Sequence, residues 1–174
     1  RALERAGATA VEVRYPEQLA DVDALVMPGG ESTTIGKLLE RFGLLDAVKE
    51  RARGDMPLYG TCAGLILMAS EVEGAHDAPH RMGLLDIAVE RNAYGRQVDS
   101  FETDLSITGM DDPFRAVFIR APVVTRCGPD VEVLAEHEGL PVLVRRGALL
   151  ASTFHPEMTG DNRVHELFLE IAKA

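Results

Sequence analysis

The sequence predicts an α/β protein: an open, mostly parallel sheet flanked by helices, with antiparallel strands in its C-terminal half. Three observations carry this. Short apolar runs alternate with segments of helical periodicity up to about residue 70, the signature of βαβ units. Beyond residue 84, short strand candidates follow one another with few helices between them. Near the C-terminus, Val164, Leu167, Phe168 and Ile171 fall at helical spacing.

The elements follow in order. Residues 1–7 read as the last turns of a helix closed by Gly7. Residues 9–14 look like a strand with Val11 and Val13 on one face. Residues 24–27 form a short apolar strand ending at Pro28-Gly29-Gly30. Helical spacing runs from about Thr33 to Arg53, interrupted at Gly43 and closed by Gly54. Residues 58–60 are a third strand, which runs into Cys62 and an apolar helix over 63–70. The later strand candidates are 84–90, 101–105, 116–124, 131–136, 142–145 and 149–154, expected to extend the sheet as antiparallel strands or hairpins. Asp161 is the expected N-cap of the last helix. The chain reads as one domain over residues 1–174, without repeats or linkers. An α/β domain that opens inside a helix lacks the strand that should feed it, so an N-terminal strand is expected to be missing ahead of Arg1.

Composition narrows the function. With 174 residues the chain buries roughly 70% of its unfolded surface, enough to need no disulfide or metal. Apolar residues are 46% and charged residues 26%, which argues against disorder. No run approaches the roughly 20 apolar residues of a membrane helix. Lys plus Arg is 18 and Asp plus Glu is 28, a net charge of −10 that disfavours nucleic acid. Two cysteines, Cys62 and Cys127, read as free thiols of a reducing, cytoplasmic compartment.

Three segments carry chemistry. Gly60-Thr61-Cys62-Ala63-Gly64 follows a strand and opens a helix, the form of a nucleophile elbow with Cys in place of Ser. Small residues two positions either side let the chain pass close at a sharp turn. The helix N-terminus aims free N–H groups at the sulfur and favours the thiolate. The Ala63 N–H can donate to a developing oxyanion. His155-Pro156-Glu157 supplies a base and a carboxylate to orient it. Pro28-Gly29-Gly30-Glu31-Ser32-Thr33 places flexible backbone N–H groups after a strand, either as a second oxyanion donor or as a phosphate cradle. A P-loop fails on spacing, since Gly36-Lys37 would need Gly where Glu31 stands and Ser or Thr where Leu38 stands. His76 and His80 have a metal-like interval, but Pro79 between them breaks helical facing. Cys127 reads as structural, and His137 and His165 as surface residues. Arg91 and Arg120 sit near strand ends, where position alone does not select them.

These residues resemble class I glutamine amidotransferases, and within them the PdxT/SNO family of glutaminase subunits of pyridoxal 5'-phosphate synthase. The stretches that carry the resemblance are Gly30-Glu31-Ser32-Thr33-Thr34, the run from Val89 to Glu102, Phe118-Ile119-Arg120-Ala121-Pro122, and Ser152-Thr153-Phe154-His155-Pro156-Glu157. The family's N-terminal strand and Gln-Gly turn are absent from this sequence. The resemblance implies a flavodoxin-like fold of the class I glutamine amidotransferase type. It implies Cys62 as nucleophile, His155 as base and Glu157 as its orienting residue. It implies glutamine contacts at Gly30, Glu31, Ser32, Arg91, Ile119 and Arg120. Gly30 and Ala63 are the expected oxyanion donors.

The implied reaction is hydrolysis of L-glutamine to L-glutamate and ammonia. The ammonia would pass to a PdxS/SNZ-type (β/α)8-barrel synthase subunit in a hetero-oligomer, for vitamin B6 biosynthesis. No metal or bound cofactor is implied. The alternatives are a glutaminase subunit of another amidotransferase, such as that of histidine biosynthesis, a DJ-1/PfpI-like cysteine hydrolase, and a non-catalytic binding module. The segment from Arg91 to Glu102 argues against the first. The His-Pro-Glu triplet after the last strand argues against the second, and an intact triad against the third.

Overall fold

Two short strands, β2 (Leu58–Thr61) and β10 (Leu149–Ser152), are buried along their whole length. Strands buried on both faces belong at the centre of a helix-covered parallel sheet. In the computed structural model, which describes residues 1–74, 80–91 and 100–174, they are neighbours in parallel register, from Leu58 opposite Leu149 to Thr61 opposite Ser152. β1 (Leu25–Met27) pairs in parallel on the other side of β2. β9 (Leu140–Arg146) and β8 (Glu132–His137) continue the sheet antiparallel, giving the order β1-β2-β10-β9-β8.

Side chains alternate across this sheet with the strand period of two. Leu58, Leu149 and Ala151 face one core with Met27, Leu65, Met68 and Ile87. Tyr59 and Leu150 face the other with Leu143, Phe154, Val164 and Phe168. The first core lies under α2 (Ser32–Arg41), α3 (Leu44–Arg53) and α4 (Ala63–Met68). The second is closed by α5 (Arg163–Lys173), whose Val164, Phe168 and Ile171 form the predicted apolar stripe. Gly43, at φ 70°, joins α2 to α3 in a left-handed turn that favours glycine. A short helix, α1 (Ala2–Arg5), precedes these elements.

Several expectations from sequence are corrected. Residues 9–14 form no strand, because no neighbouring strand takes up their backbone groups. Val11 is exposed and only Val13 packs on the core. Instead the Arg14 and Tyr15 N–H groups donate to Gln18 Oε1 at 2.7 and 3.0 Å, opening a 3-10 turn over Pro16–Asp21. The apolar helix stops at Met68, since Ala69 is extended and begins β3 (Ala69–Glu73). The strand expected over 116–124 is two strands, β6 (Phe114–Ile119) and β7 (Val123–Cys127). Arg120, at φ 42°, and Pro122 break the ladder between them. β7 joins β4 (Leu85–Glu90) and β3 in a separate three-stranded sheet, and β6 pairs with β5 (Ser100–Leu105) as a two-stranded one. Among the described residues, β8 and β9 are the antiparallel strands that extend the main sheet.

Asp161 does not occupy the cap position of α5, which falls to Asn162 without a side-chain bond. It does the work of a cap from one residue further out, where its Oδ1 accepts the Arg163 N–H at 3.0 Å. Among the described helices, none is long and apolar enough to cross a membrane.

Phe168 is 1% exposed and tilts against the Tyr59 ring, with centroids 5.5 Å apart. Replacing it by alanine empties the contact between α5 and the sheet. Phe168→Ala is expected to lower the unfolding free energy by about 3–5 kcal/mol, read by chemical denaturation.

Candidate active site

Three loops meet at the carboxyl ends of β1, β2 and β10, the edge where open α/β sheets place their ligands. The loop after β2 is a single residue. Cys62 has φ 50° and ψ −101°, a conformation that L-residues rarely adopt and that costs on the order of 1–3 kcal/mol. Close packing holds it there. A Cβ at Gly60 would strike the Gly64 backbone and Met68 Sδ, and one at Gly64 would fall on the Met27 carbonyl. The Cys62 N–H donates to the Ser152 carbonyl at 2.8 Å, tying the elbow to β10. The residue is 6% exposed. Ala63 opens α4, so its N–H has no acceptor within its own helix.

His155 follows β10, and its N–H donates to the Val117 carbonyl of β6 at 2.8 Å. Pro156 opens a 3-10 turn over Pro156–Met158, which folds Glu157 back on the imidazole. His155 Nδ1 lies 2.8 Å from Glu157 Oε1, which leaves Nε2 available to Cys62. Interaction with Cys62 first, and with Glu157 second, outweighs partial burial and raises the His155 pKa to about 9. Burial pushes Glu157 up, but the bond from His155 overrides it and holds the carboxyl below the usual range. At neutral pH this is an imidazolium between a sulfur and a carboxylate, an arrangement able to support a thiol nucleophile and protonate a leaving group.

The loop after β1 closes the site. Gly29 supports the imidazole directly, since a Cβ there would overlap His155 Cε1. Gly30, at φ 145°, has a backbone that side chains resist. Glu31 is the N-cap of α2: its two carboxylate oxygens accept the Thr33 and Thr34 N–H groups at 2.9 and 2.8 Å. The Thr34 hydroxyl adds a third bond, and together they lower the Glu31 pKa to about 2. Arg91 reaches over from the end of β4 to within 3.4 Å of both Glu31 Oε1 and Thr33 Oγ1. Ser32 is buried at the start of α2. Ile119 ends β6 and Arg120 follows it, two and three residues beyond the carbonyl that anchors His155. The predicted site residues come from five separate segments, of which the structure joins His155 to Glu157 and Arg91 to Glu31 by direct contact. Residues 92–99 of the distinguishing middle stretch lie outside the described residues.

Other candidates separate from this site. His76 lies outside the described residues. His80 sits against Gly36 of α2, with Nδ1 3.2 Å from Glu40 Oε2. Among the described residues, no group of three or more His, Cys, Asp or Glu side chains is placed to hold a metal. Burial pushes the Cys127 thiol up. His137 is no simple surface residue, for its ring lies 5.3 and 5.7 Å from those of Phe101 and Phe118. His165 is buried, contrary to expectation, against Tyr59. Sequence reading also missed the fit of Gly29 to His155 and the Thr33 contact of Arg91. The Gly-Gly doublet was a signal for the first; nothing in the sequence pointed to the second.

Comparison with known proteins places the whole chain in one family. The profile of the SNO glutamine amidotransferase family matches residues 1–174. A pyridoxal 5'-phosphate synthase subunit PdxT of Mycobacteroides abscessus is 56% identical over 173 residues, covering 99% of this chain and 90% of the relative. One of Bacillus velezensis is 49% identical, covering 99% and 87%. A crystal structure of a glutamine amidotransferase superposes with a TM-score of 0.94 at 53% identity, covering 99% of this chain and 91% of that one.

The raised pKa of His155 has a consequence for stability. The protonated form is favoured in the folded state, so its contribution is fully present below about pH 6.5 and is lost as pH rises through about 9. Relative to His155→Gln, the wild-type chain is expected to lose stability across that window, and Cys62→Ala to flatten the loss. Parallel denaturant titrations between pH 6 and 10 read both.

Proposed function

The chain belongs to the SNO glutamine amidotransferase family, and from that premise we propose that it is the glutaminase subunit of a pyridoxal 5'-phosphate synthase, working through Cys62, His155 and Glu157. The observation that carries this reading is His155, whose Nδ1 lies 2.8 Å from Glu157 Oε1 and whose pKa is raised first by Cys62 at a strained elbow.

The Cys62 sulfur attacks the carboxamide carbon of L-glutamine. The carbonyl electron pair moves onto oxygen, held by the N–H groups of Gly30 and Ala63; one such donor is typically worth about 2.7–4 kcal/mol. Collapse breaks the C–N bond as His155 Nε2 gives its proton to the leaving ammonia. A water then loses a proton to His155 and attacks the γ-glutamyl thioester, releasing glutamate and restoring the thiolate. Glu157 holds the imidazole through both steps. Arg91, whose contacts to Glu31 and Thr33 are both long at 3.4 Å, is free to turn toward the substrate carboxylate. Gly30, Glu31, Ser32, Ile119 and Arg120 complete the glutamine site. The ammonia passes to a PdxS/SNZ-type synthase subunit, and both act in the cytoplasm.

Two experiments test this. Cys62→Ser is expected to abolish ammonia release from glutamine while the far-UV spectrum is kept, and a glutamine-like electrophile should label Cys62 and spare Cys127. Full activity in the variant, or equal labelling of both thiols, overturns the assignment. Titrating the synthase subunit into a fixed amount of this chain is expected to raise glutamine turnover, because docking beside the Gly29-Gly30 loop can select the peptide orientation that aims an N–H at the oxyanion. Turnover already maximal without the partner refutes that coupling.

A further inference from the structure

The reaction above leaves Ser152 unused. It ends β10, a strand that otherwise reads Leu149-Leu150-Ala151, and it is 0% exposed. A hydroxyl in such a place is costly unless it is bonded, so its bonds call for a reason. Ser152 Oγ lies 3.1 Å from the Phe154 carbonyl and 2.9 Å from the Tyr59 hydroxyl. The carbonyl can only accept, so the single serine hydrogen goes to Phe154 and the Tyr59 O–H donates to Ser152. Thr61, opposite Ser152 in the ladder, and Thr153, next to it in the chain, are also buried. Their hydroxyl oxygens have no hydrogen-bond partner among the described residues. Burial at this edge does not by itself produce such bonds.

Ser152 reaches both halves of the site. Its carbonyl accepts the Cys62 N–H at 2.8 Å and so holds the elbow. Its hydroxyl holds the Phe154 carbonyl, the oxygen of the peptide bond that leads into His155. The N–H of that same peptide donates to the Val117 carbonyl at 2.8 Å. A peptide unit is planar, so one bond at its oxygen and another at its nitrogen fix its rotation, and with it the direction in which the His155 side chain leaves the chain. Thr153 and Phe154 form a bend beyond the strand, and the serine bond spans that bend. Glu157 stands two residues further on, 2.8 Å from the imidazole, so base and carboxylate move together with this peptide. Cys62 sits on a different strand. The spacing between nucleophile and base is therefore set across Ser152.

We propose that Ser152 is a positioning residue of the glutaminase reaction: its carbonyl fixes the elbow, its hydroxyl fixes the peptide ahead of His155, and one buried residue thereby sets Cys62 and His155 in register. The inference rests on the triad assignment above. Tyr59 completes the hydrogen bonding of the serine oxygen and holds neither the elbow nor the peptide.

The test compares wild type, Ser152→Ala, Tyr59→Phe and the double variant. Folding stability is measured for each chain, and kcat and KM of glutamine hydrolysis for each complex with the synthase subunit. Ser152→Ala frees the Phe154 carbonyl and strands the Tyr59 phenol. Its kcat is expected to fall on the order of tenfold to a hundredfold, as for a small misplacement of a catalytic group, with KM little changed. Tyr59→Phe removes a buried bond from the same layer but keeps the hold on Phe154, so stability is expected to drop while kcat stays near wild type. The double variant strands no phenol, so it should regain part of the stability that Ser152→Ala loses, with kcat still low. A purely structural role would return stability and kcat together. The ¹⁵N-followed titration of the His155 imidazole in the free chain gives a second readout. Its midpoint, about 9 with Cys62 as the largest influence, is expected to fall in both Ser152 variants and to hold in Tyr59→Phe. A folded Ser152→Ala with wild-type kcat and an unmoved midpoint overturns the proposal. So does recovery of kcat in the double variant, and so does failure of both Ser152 variants to fold, which makes the serine a requirement of the fold alone. A wild-type complex that releases no ammonia from glutamine overturns the triad reading itself and this inference with it.

Discussion

The site depends on one backbone register. β2 and β10 are far apart in sequence yet lie side by side, with Thr61 opposite Ser152 and the Cys62 N–H donating to the Ser152 carbonyl at 2.8 Å. Parallel strands that end level with one another bring their following residues to the same edge of the sheet. The elbow cysteine and the His-Pro-Glu turn are therefore neighbours because two buried strands pair. A slip of one residue would turn every inward side chain of β10 to the wrong core. The apolar burial of Leu58, Tyr59, Leu149 and Leu150 is what makes such a slip costly.

Space is the second constraint. The elbow has a positive φ at a cysteine, and the surrounding packing must hold that strain in place. Gly60 and Gly64 let the strand end, the helix start and the Met27 carbonyl converge within van der Waals distance. Gly29 performs the same service for the imidazole. The core packing that stabilises the sheet also denies the elbow room to relax.

Charge is arranged locally against the overall trend. The chain carries a net charge of −10, yet the site keeps a cation, since His155 is bonded to Cys62 and Glu157. Glu31 does not add a loose negative charge to the glycine loop, because α2 holds its carboxylate as a cap and Arg91 stands beside it. Each carboxylate near the site has a partner that fixes its direction. At Glu157 that direction is what gives the imidazole its orientation.

Much of this was legible in the sequence. Period-two and helical patterns located β1, β2, α2, α3 and α5. The elbow and the His-Pro-Glu triplet were readable because their chemistry lies between residues close in the chain, where spacing alone fixes geometry. What failed were features that depend on a distant partner. Residues 9–14 have strand-like composition, but a strand exists only when another strand takes up its N–H and C=O groups. The run over 116–124 looks continuous until its two halves are claimed by different sheets. His165 reads as a polar residue on an amphipathic helix, and only the packing of α5 on Tyr59 buries it. Local covalent geometry was thus decided by the sequence itself. The meeting of Cys62 with His155, of Gly29 with the imidazole and of Arg91 with Glu31 was decided by tertiary structure, because each contact joins segments whose separation in the chain carries no information about their distance in space.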